Sequence, residues 1–388
     1  MDLSRVTFPT FVLEPRSMLE RITDFMAFPD LLFGAEKCND PEERFVRVLQ
    51  YYLAGWHIKP KGVKKPYEAL LVQRSHLTRQ CVQTAHRGST LLSKASPHPP
   101  LHLARTTFPA PPYPTPASYT ILIFSPAVSH HPPVSAFFYT SPENHVAIVG
   151  ELRPKSKFLG NSVSTTMEGE NRVSLLGRPE DGEYVVTMPN MYARGILFGK
   201  MVLELGDTCM AKNEKNNLYC DLDFKTKGFF SGTYNAIAGR VRHNSCEIGE
   251  ITGRWSHTME IKNTKTGQKR VLFDVAKDGQ NVCPKWVPPE AQQEHNESRR
   301  LWHNLTQAIV AKDMEKATDA KMAVEEAQRE QRKKMEELGT KHVQTFFEER
   351  NGRWMPKIDL PRDPKMATQL VQDWIFPSKS SSTNVTAV

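Results

Sequence analysis

Leu218-Tyr219-Cys220-Asp221-Leu222-Asp223-Phe224 decides the fold class. Leu218, Cys220, Leu222 and Phe224 alternate with Tyr219, Asp221 and Asp223, a period of two that buries one face of a strand and wets the other. Working outward, short runs of the same kind recur at Tyr119–Phe124, Ser135–Tyr139, Val146–Leu152, Arg172–Leu176, Tyr184–Thr187, Met201–Leu205, Cys246–Arg254, Thr258–Ile261 and Arg270–Val275. Gly, Asn, Asp and Pro punctuate them, and no helical pattern lies between them. The sequence from about 118 to 288 therefore predicts one large antiparallel sheet curled into a barrel. The lack of a 20–50-residue repeat argues against a propeller.

Helices flank this region. After an extended opening, Val6–Leu13, Ser17 and Glu20 have capping-box spacing ahead of Leu19, Ile22 and Phe25. Asp40 then suits an N-cap and Pro41 the first helical position, with Glu42 and Glu43 at the positive end of the dipole. Phe45, Val48, Leu49, Tyr52, Leu53 and Trp56 follow at helical spacing and predict a core-facing helix. From about 295 to 349 the pattern is again helical but highly charged. The stretch through Trp354 and Trp374 reads as a docked extension.

Composition narrows the function. The chain has 388 residues, 39% hydrophobic and 24% charged, enough for a sizeable core. We find no apolar run of 18 residues and no signal-peptide layout at the start. Six scattered cysteines, none in a CxxC pair, argue against a zinc ribbon and against a disulfide framework, and point to a reducing cytosol. Half of the net charge of +8 resides in residues 68–125, which hold five bases and one acid. The mild remainder argues against nucleic acid as a partner and is compatible with transient contact with an anionic membrane. The same segment holds eight prolines and one glycine. It is expected to be extended, solvated and unable to form a core.

The sharpest motif is Val128-Ser129-His130-His131-Pro132-Pro133. Two prolines stiffen the chain behind two imidazoles, and a protonated imidazole donates from both nitrogens to a phosphate. A bare His-His pair is more often a pair of surface or half-buried side chains; the flanking serine and prolines move the reading toward function. Lys64-Lys65-Pro66 offers flexible point charges for a phosphate, or else a solvated basic loop. Lys321, Glu325 and Arg329 share one helix face, and by spacing alone form an exposed ion-pair ladder. No GxSxG, HExxH or GxxxxGK[ST] motif occurs, so neither an enzyme, a metal site nor a cofactor is expected.

Together these residues resemble the oxysterol-binding protein family. The run around His130-His131-Pro132-Pro133 is similar to the family signature. Asp2–Arg5 with Pro9–Ser17, Pro154–Asn161, Tyr219–Lys225, and Glu297-Ser298-Arg299 with Leu301-Trp302, Ala317-Thr318 and Lys321 are similar to fungal members of its phosphatidylserine-carrier subgroup. The likeness spans about 1–67 and 127–376. It implies a mainly β fold with peripheral helices: an incomplete antiparallel β-barrel enclosing a lipid tunnel, with helical N-terminal and C-terminal subdomains. It also implies non-vesicular exchange of phosphatidylinositol 4-phosphate for a second lipid, phosphatidylserine or a sterol, in the cytoplasm at endoplasmic reticulum–plasma membrane contact sites. The alternatives weighed are a sterol carrier and a lipid-sensing or scaffolding module without net transfer.

By matching motif positions, the resemblance implies that Lys65, His130, His131, Lys321 and Arg329 hold the inositol phosphates, with Glu325 supporting the two bases. Leu13 would line the tunnel, and Lys155 and Ser156 would lie near the second headgroup. The implied division is 1–67, an N-terminal strand, two helices and a basic loop; 68–127, a Pro-rich disordered insert; 128–290, the barrel; 291–376, a helical subdomain; and 377–388, a disordered tail. Two departures stand out. Glu68-Ala69-Leu70 replaces the family's Asn-Pro and strand after Lys65-Pro66-Tyr67, and a carboxylate there repels phosphate. Residues 68–127 are read as translated intron or frameshifted sequence in place of central strands. Most of the family's lid is expected to be missing from the start of the chain.

Overall fold

The computed structural model describes residues 10, 13–58, 65–67, 74–82, 118–130, 133–196, 198–228, 232–339 and 344–375. The chain opens with strand β1 (Leu13–Ser17) and helix α1 (Met18–Ile22). Helix α2 (Pro41–Ala54) follows, then β2 (Lys65–Tyr67), β3 (Arg74–Val82), β4 (Ser118–His130), β5 (Pro133–Ser141) and β6 (Val146–Phe158). The sheet continues through β7 (Ser162–Glu168), β8 (Glu170–Leu175), β9 (Glu183–Thr187), β10 (Asn190–Arg194), β11 (Val202–Asn213) and β12 (Leu218–Lys225). It ends with β13 (Ala236–His243), β14 (Cys246–Arg254), β15 (Thr258–Asn263), β16 (Lys269–Asp274) and β17 (Lys285–Trp286). Helices α3 (Ser298–Leu301), α4 (His303–Val310) and α5 (Met314–Glu337) follow. The hairpin β18 (Phe347–Arg350) and β19 (Arg353–Pro356) precedes α6 (Pro364–Ile375). No described helix is long and apolar enough to cross a membrane.

Strands β3 to β17 form one 15-stranded sheet, paired antiparallel throughout. Its chain order is nearly sequential, as expected of short strands joined by turns. The 68–127 segment departs from its expectation. Residues 74–82 and 118–127 belong to paired strands, in register from Arg74↔Pro126 to Val82↔Ser118. β4 pairs with β5 and β3 with β17, so this hairpin stands where central strands were expected to be lacking. The physical reason is the ladder: the edge of β5 presents backbone groups that need partners, and residues 118–124 have the β-branched and aromatic content to supply them. Residues 83–117 lie outside the described residues.

β5 shows how the sheet is sealed on both faces. Val134, Ala136 and Phe138 pack on one side with Val371 and Ile375 of α6 and Phe347 of β18. Phe137 and Tyr139 face the other side, into the cluster that contains Leu19 and Ile22 of α1 and Phe45, Leu49 and Leu53 of α2. Tyr139 Oη donates to Ile22 O at 2.8 Å, fixing α1 on the sheet. Gly150 of β6 sits opposite Phe137, and a Cβ there would come within 2.1 Å of the ring. The missing side chain is what lets the ring lie flat across the strand.

Both sequence-predicted helix starts are present. Ser17 and Glu20 form the reciprocal capping box, and the Asp40 side chain accepts from Glu42 N with Pro41 at the first position. Arg44 of α2 reaches Asp181 with two bonds of 2.7 Å. Tyr184 Oη at 2.5 Å and Asn216 Nδ2 at 2.9 Å complete that carboxylate. Burial alone would raise the Asp181 carboxyl; the hydrogen bonds from Arg44, Tyr184 and Asn216 overcome it and hold it below its ordinary range. The expectation for cysteines is corrected at one position, since Cys283 is disulfide-bonded. The β17–β3 register, Lys285↔Arg79, sets position 283 level with position 81 on the neighbouring strand.

Candidate functional site

One corner of the molecule gathers several of the sequence-predicted residues. β1 and β2 pair in parallel with Leu13 opposite Lys65. Leu13 is buried with Tyr67, Trp302, Leu305, Ala308 and Ala317, so it forms the apolar seat on which α4 and α5 rest. Tyr67 lies tilted against Trp302, ring centroids 5.1 Å apart, and its hydroxyl hydrogen-bonds Thr306. Thr10 Oγ1 lies 3.0 Å from Thr318 Oγ1, running the chain beside the first turns of α5.

On α5 the stripe Ala317, Ala320 and Val324 packs onto this seat. Lys321 falls within that stripe, and its side chain is only 12% exposed. Its ammonium pairs with Glu325 Oε1 at 2.6 Å. Glu325 Oε2 lies 3.8 Å from the Arg329 guanidinium, which also pairs with Glu326 at 2.6 Å and is itself exposed. Glu325 thus stands between two bases one turn away on either side, at the i,i+4 spacing of a helical ion-pair ladder. The structure joins Leu13, the Lys65 backbone, Lys321 and Glu325 at one corner.

His130 ends β4 and pairs with Pro133, which opens β5, leaving positions 131 and 132 as the connection. Gln344 Nε2 donates to Val128 O at 2.9 Å and holds the strand end from outside. His131 and the side chains of His130 and Lys65 lie outside the described residues. The turn shares a rim with β6. From Ser135↔Leu152, Pro133 is level with Pro154, and β6 runs on to Phe158 about 13 Å further. Lys155 and Ser156 sit on that extension, exposed. Lys155 Nζ pairs with Glu168 Oε1 at 2.7 Å, and Ser156 Oγ lies 2.9 Å from Thr165 Oγ1. Among the described residues no contact joins these two to Leu13 or α5.

A polar knot beneath the corner has no clear signal in the sequence. Arg16 bridges Asp24 at 2.9 Å and Glu14 at 3.2 Å, Lys285 reaches Asp24 at 3.2 Å, and Arg299 reaches Glu20 at 3.1 Å. Ser17 Oγ donates to Ser298 Oγ at 3.1 Å. Burial would raise the Asp24 carboxyl, but Lys285, Arg16 and Arg21 together hold it below its ordinary value. The Lys285–Asp24, Arg299–Glu20 and Ser17–Ser298 pairs cross more than 250 residues of sequence, which is why spacing could not reveal them. They fix β1, and through it Leu13 and Lys65. Among the described residues no cluster of His, Cys, Asp or Glu could hold a metal ion.

One 15-stranded antiparallel sheet carries helices on both of its faces. The family model described as oxysterol-binding protein matches residues 1–308, and the chain belongs to that family. It is 44% identical over 339 residues to oxysterol-binding protein homolog C23B6.01c of Schizosaccharomyces pombe, covering 87% of this chain and 65% of that protein. It is 41% identical to oxysterol-binding protein homolog 7 of Saccharomyces cerevisiae, covering 89% of this chain and 72% of the relative. Among solved structures, the Osh1 ORD domain in complex with cholesterol aligns with a TM-score of 0.69 and 22% identity, covering 92% of this chain and 84% of that one. The Osh3 ORD of Saccharomyces cerevisiae in complex with PI(4)P aligns at 0.64 and 18%, covering 97% and 91%. The chain thus spans just under two thirds of the length of its fission-yeast relative.

Proposed function

We propose that the protein is a lipid carrier that takes one membrane lipid at a time into its barrel and exchanges phosphatidylinositol 4-phosphate for phosphatidylserine. The observation that carries this reading is Lys321. Its side chain is only 12% exposed, its ion-pair partner among the described residues is a neighbour on its own helix, and it sits on the face packed against β1 and β2, where Lys65 begins. A covered cation with a shared carboxylate is poised for an anionic headgroup, because a phosphate there gains charge-assisted hydrogen bonds. Lys65, His130, His131 and Arg329 complete the cradle in this reading, and Glu325 aims the two bases of α5. The acyl chains need an apolar enclosure, since each CH₂ left in water costs roughly 0.8 kcal/mol. No bond is made or broken in the cycle.

Phosphatidylserine as the second lipid rests on the likeness to the fungal phosphatidylserine carriers, with Lys155 and Ser156 on the rim as its polar contacts. The cycle is placed in the cytoplasm, at endoplasmic reticulum–plasma membrane contacts. The test is mass spectrometry of the lipids that co-purify with the full chain, followed by transfer of fluorescent phosphatidylserine between liposomes. The expected result is bound phosphatidylserine, and transfer accelerated when the acceptor holds phosphatidylinositol 4-phosphate. Co-purification of a sterol with no such acceleration would overturn the exchange.

A further inference from the structure

Three connections meet at the rim beyond the His130–Pro133 turn. The β6–β7 turn carries Leu159, 52% exposed, and the loop from β10 to β11 carries Phe198, 77% exposed. These two loops are locked together. Asn161 Nδ2 donates to Phe198 O and Phe198 N donates to Asn161 Oδ1, both at 2.9 Å. Asn161 O also accepts from Gly195 N at 3.0 Å and Ile196 N at 3.2 Å. An aromatic ring is thus held out in solvent by four hydrogen bonds around one asparagine. The β12–β13 connection adds Tyr234, also exposed, with the Lys227 ammonium 4.6 Å over its ring. Arg194 Nη1 donates to Lys227 O at 3.3 Å and ties this third loop to the other two.

The charge around these tips has one sign. Residues 157–162, 194–202 and 225–235 contain Lys157, Arg194, Lys200, Lys225 and Lys227 and no acid. Glu204 of β11 lies below them, buried; it accepts from Lys227 N at 2.7 Å and faces Arg194 at 3.4 Å. From this juxtaposition we propose that the Leu159–Phe198–Tyr234 rim is the surface by which the protein docks on an anionic lipid bilayer. Apolar side chains on separate projecting tips offer too little contiguous area for a stable protein interface, whereas each can enter the headgroup boundary of a membrane on its own. Lysines beside them draw the tips onto an anionic leaflet. The rim lies on the same side of the sheet as the His130–Pro133 turn, so docking here turns the proposed headgroup cradle toward the membrane. The inference deepens the carrier reading by naming the surface that meets the membrane, and its test uses no lipid exchange.

The test is co-sedimentation of the full chain with vesicles of phosphatidylcholine, with and without phosphatidylglycerol, which is neither proposed cargo. The parent protein is expected to bind the anionic vesicles, more weakly as salt rises. Phe198→Ala should weaken that binding roughly tenfold, and Lys157→Glu with Lys200→Glu should weaken it at least as much and flatten its salt dependence. Phe198→Trp should keep it, with an indole emission that shifts to the blue and is quenched by brominated lipid. All these side chains are exposed, so thermal unfolding should be unchanged in every variant. The His130→Ala/His131→Ala double variant should sediment like the parent, which separates docking from headgroup capture. Equal sedimentation of Phe198→Ala and the parent overturns the proposal, as does absence of vesicle binding by the parent, which would reassign the rim to a protein partner.

Discussion

Helices α2 and α5 are both capped by an aspartate, yet α2 carries a broad apolar face whereas α5 is dominated by charge. α2 buries nine of its 14 residues, whereas α5, with 24, buries only Ala317. Each places one basic side chain largely out of solvent. Arg44 of α2 meets a carboxylate 137 residues away that is itself fully hydrogen-bonded. Lys321 of α5 meets only Glu325, one turn along the same helix, as an ion-pair partner among the described residues. In the proposed reading, the difference separates a charge consumed by the fold from a charge kept for a ligand. A long-range, doubly bonded partner fixes tertiary structure; a local partner leaves the cation able to rebind.

The largest effect that sharpens this contrast is at Arg44. Arg44→Ala strands the buried Asp181 and should lower stability by roughly 3–5 kcal/mol in urea unfolding. A loss below about 1 kcal/mol breaks the comparison. Next is Gly150→Ala, which drives a methyl into the Phe137 ring and should cost about 1–3 kcal/mol by the same measurement. Acid titration of stability gives a third check. Asp181 and Asp24 both titrate below their ordinary 3.8 in the folded chain. Their contribution is therefore complete above about pH 4 and is lost as pH falls through the lower folded values. Asp181→Asn should flatten the acid limb of the stability curve. Smallest in stability is Lys321→Ala, within about 0.5 kcal/mol of the parent. Its affinity for phosphatidylinositol 4-phosphate should nevertheless fall about tenfold; a stability loss with unchanged affinity would make Lys321 a second Arg44.

Much of this architecture is legible in the sequence, and the reasons are local. Cys246–Arg254 is rich enough in strand formers between turn residues to be recognised, and is a strand with those bounds. The caps at Ser17 and Asp40 are decided within four residues. β13 escapes notice because Gly239 reads as punctuation. In the structure Gly239 lies opposite Leu222, whose side chain fills the space a Cβ would take, 2.8 Å away. The β18–β19 hairpin, at the end of a stretch that reads as helical, exists because it packs on the outer face of β5 and β6, a partner invisible from sequence. The ends of the Pro-rich segment become strands for a similar reason, since the open edge of β5 recruits them. In the candidate site, spacing identifies the Lys321–Glu325–Arg329 face but cannot tell that Lys321 is covered and Arg329 is not. That depends on Leu13 and Tyr67, more than 250 residues earlier.

The central claim is that basic side chains at the mouth of the barrel capture a phosphorylated headgroup. Its most direct measurement is extraction of phosphatidylinositol 4-phosphate from liposomes by the parent and by the His130→Ala/His131→Ala double variant, with circular dichroism confirming that both are folded. The account predicts that the parent removes the lipid and the double variant does not. Equal extraction by the two folded proteins would contradict it.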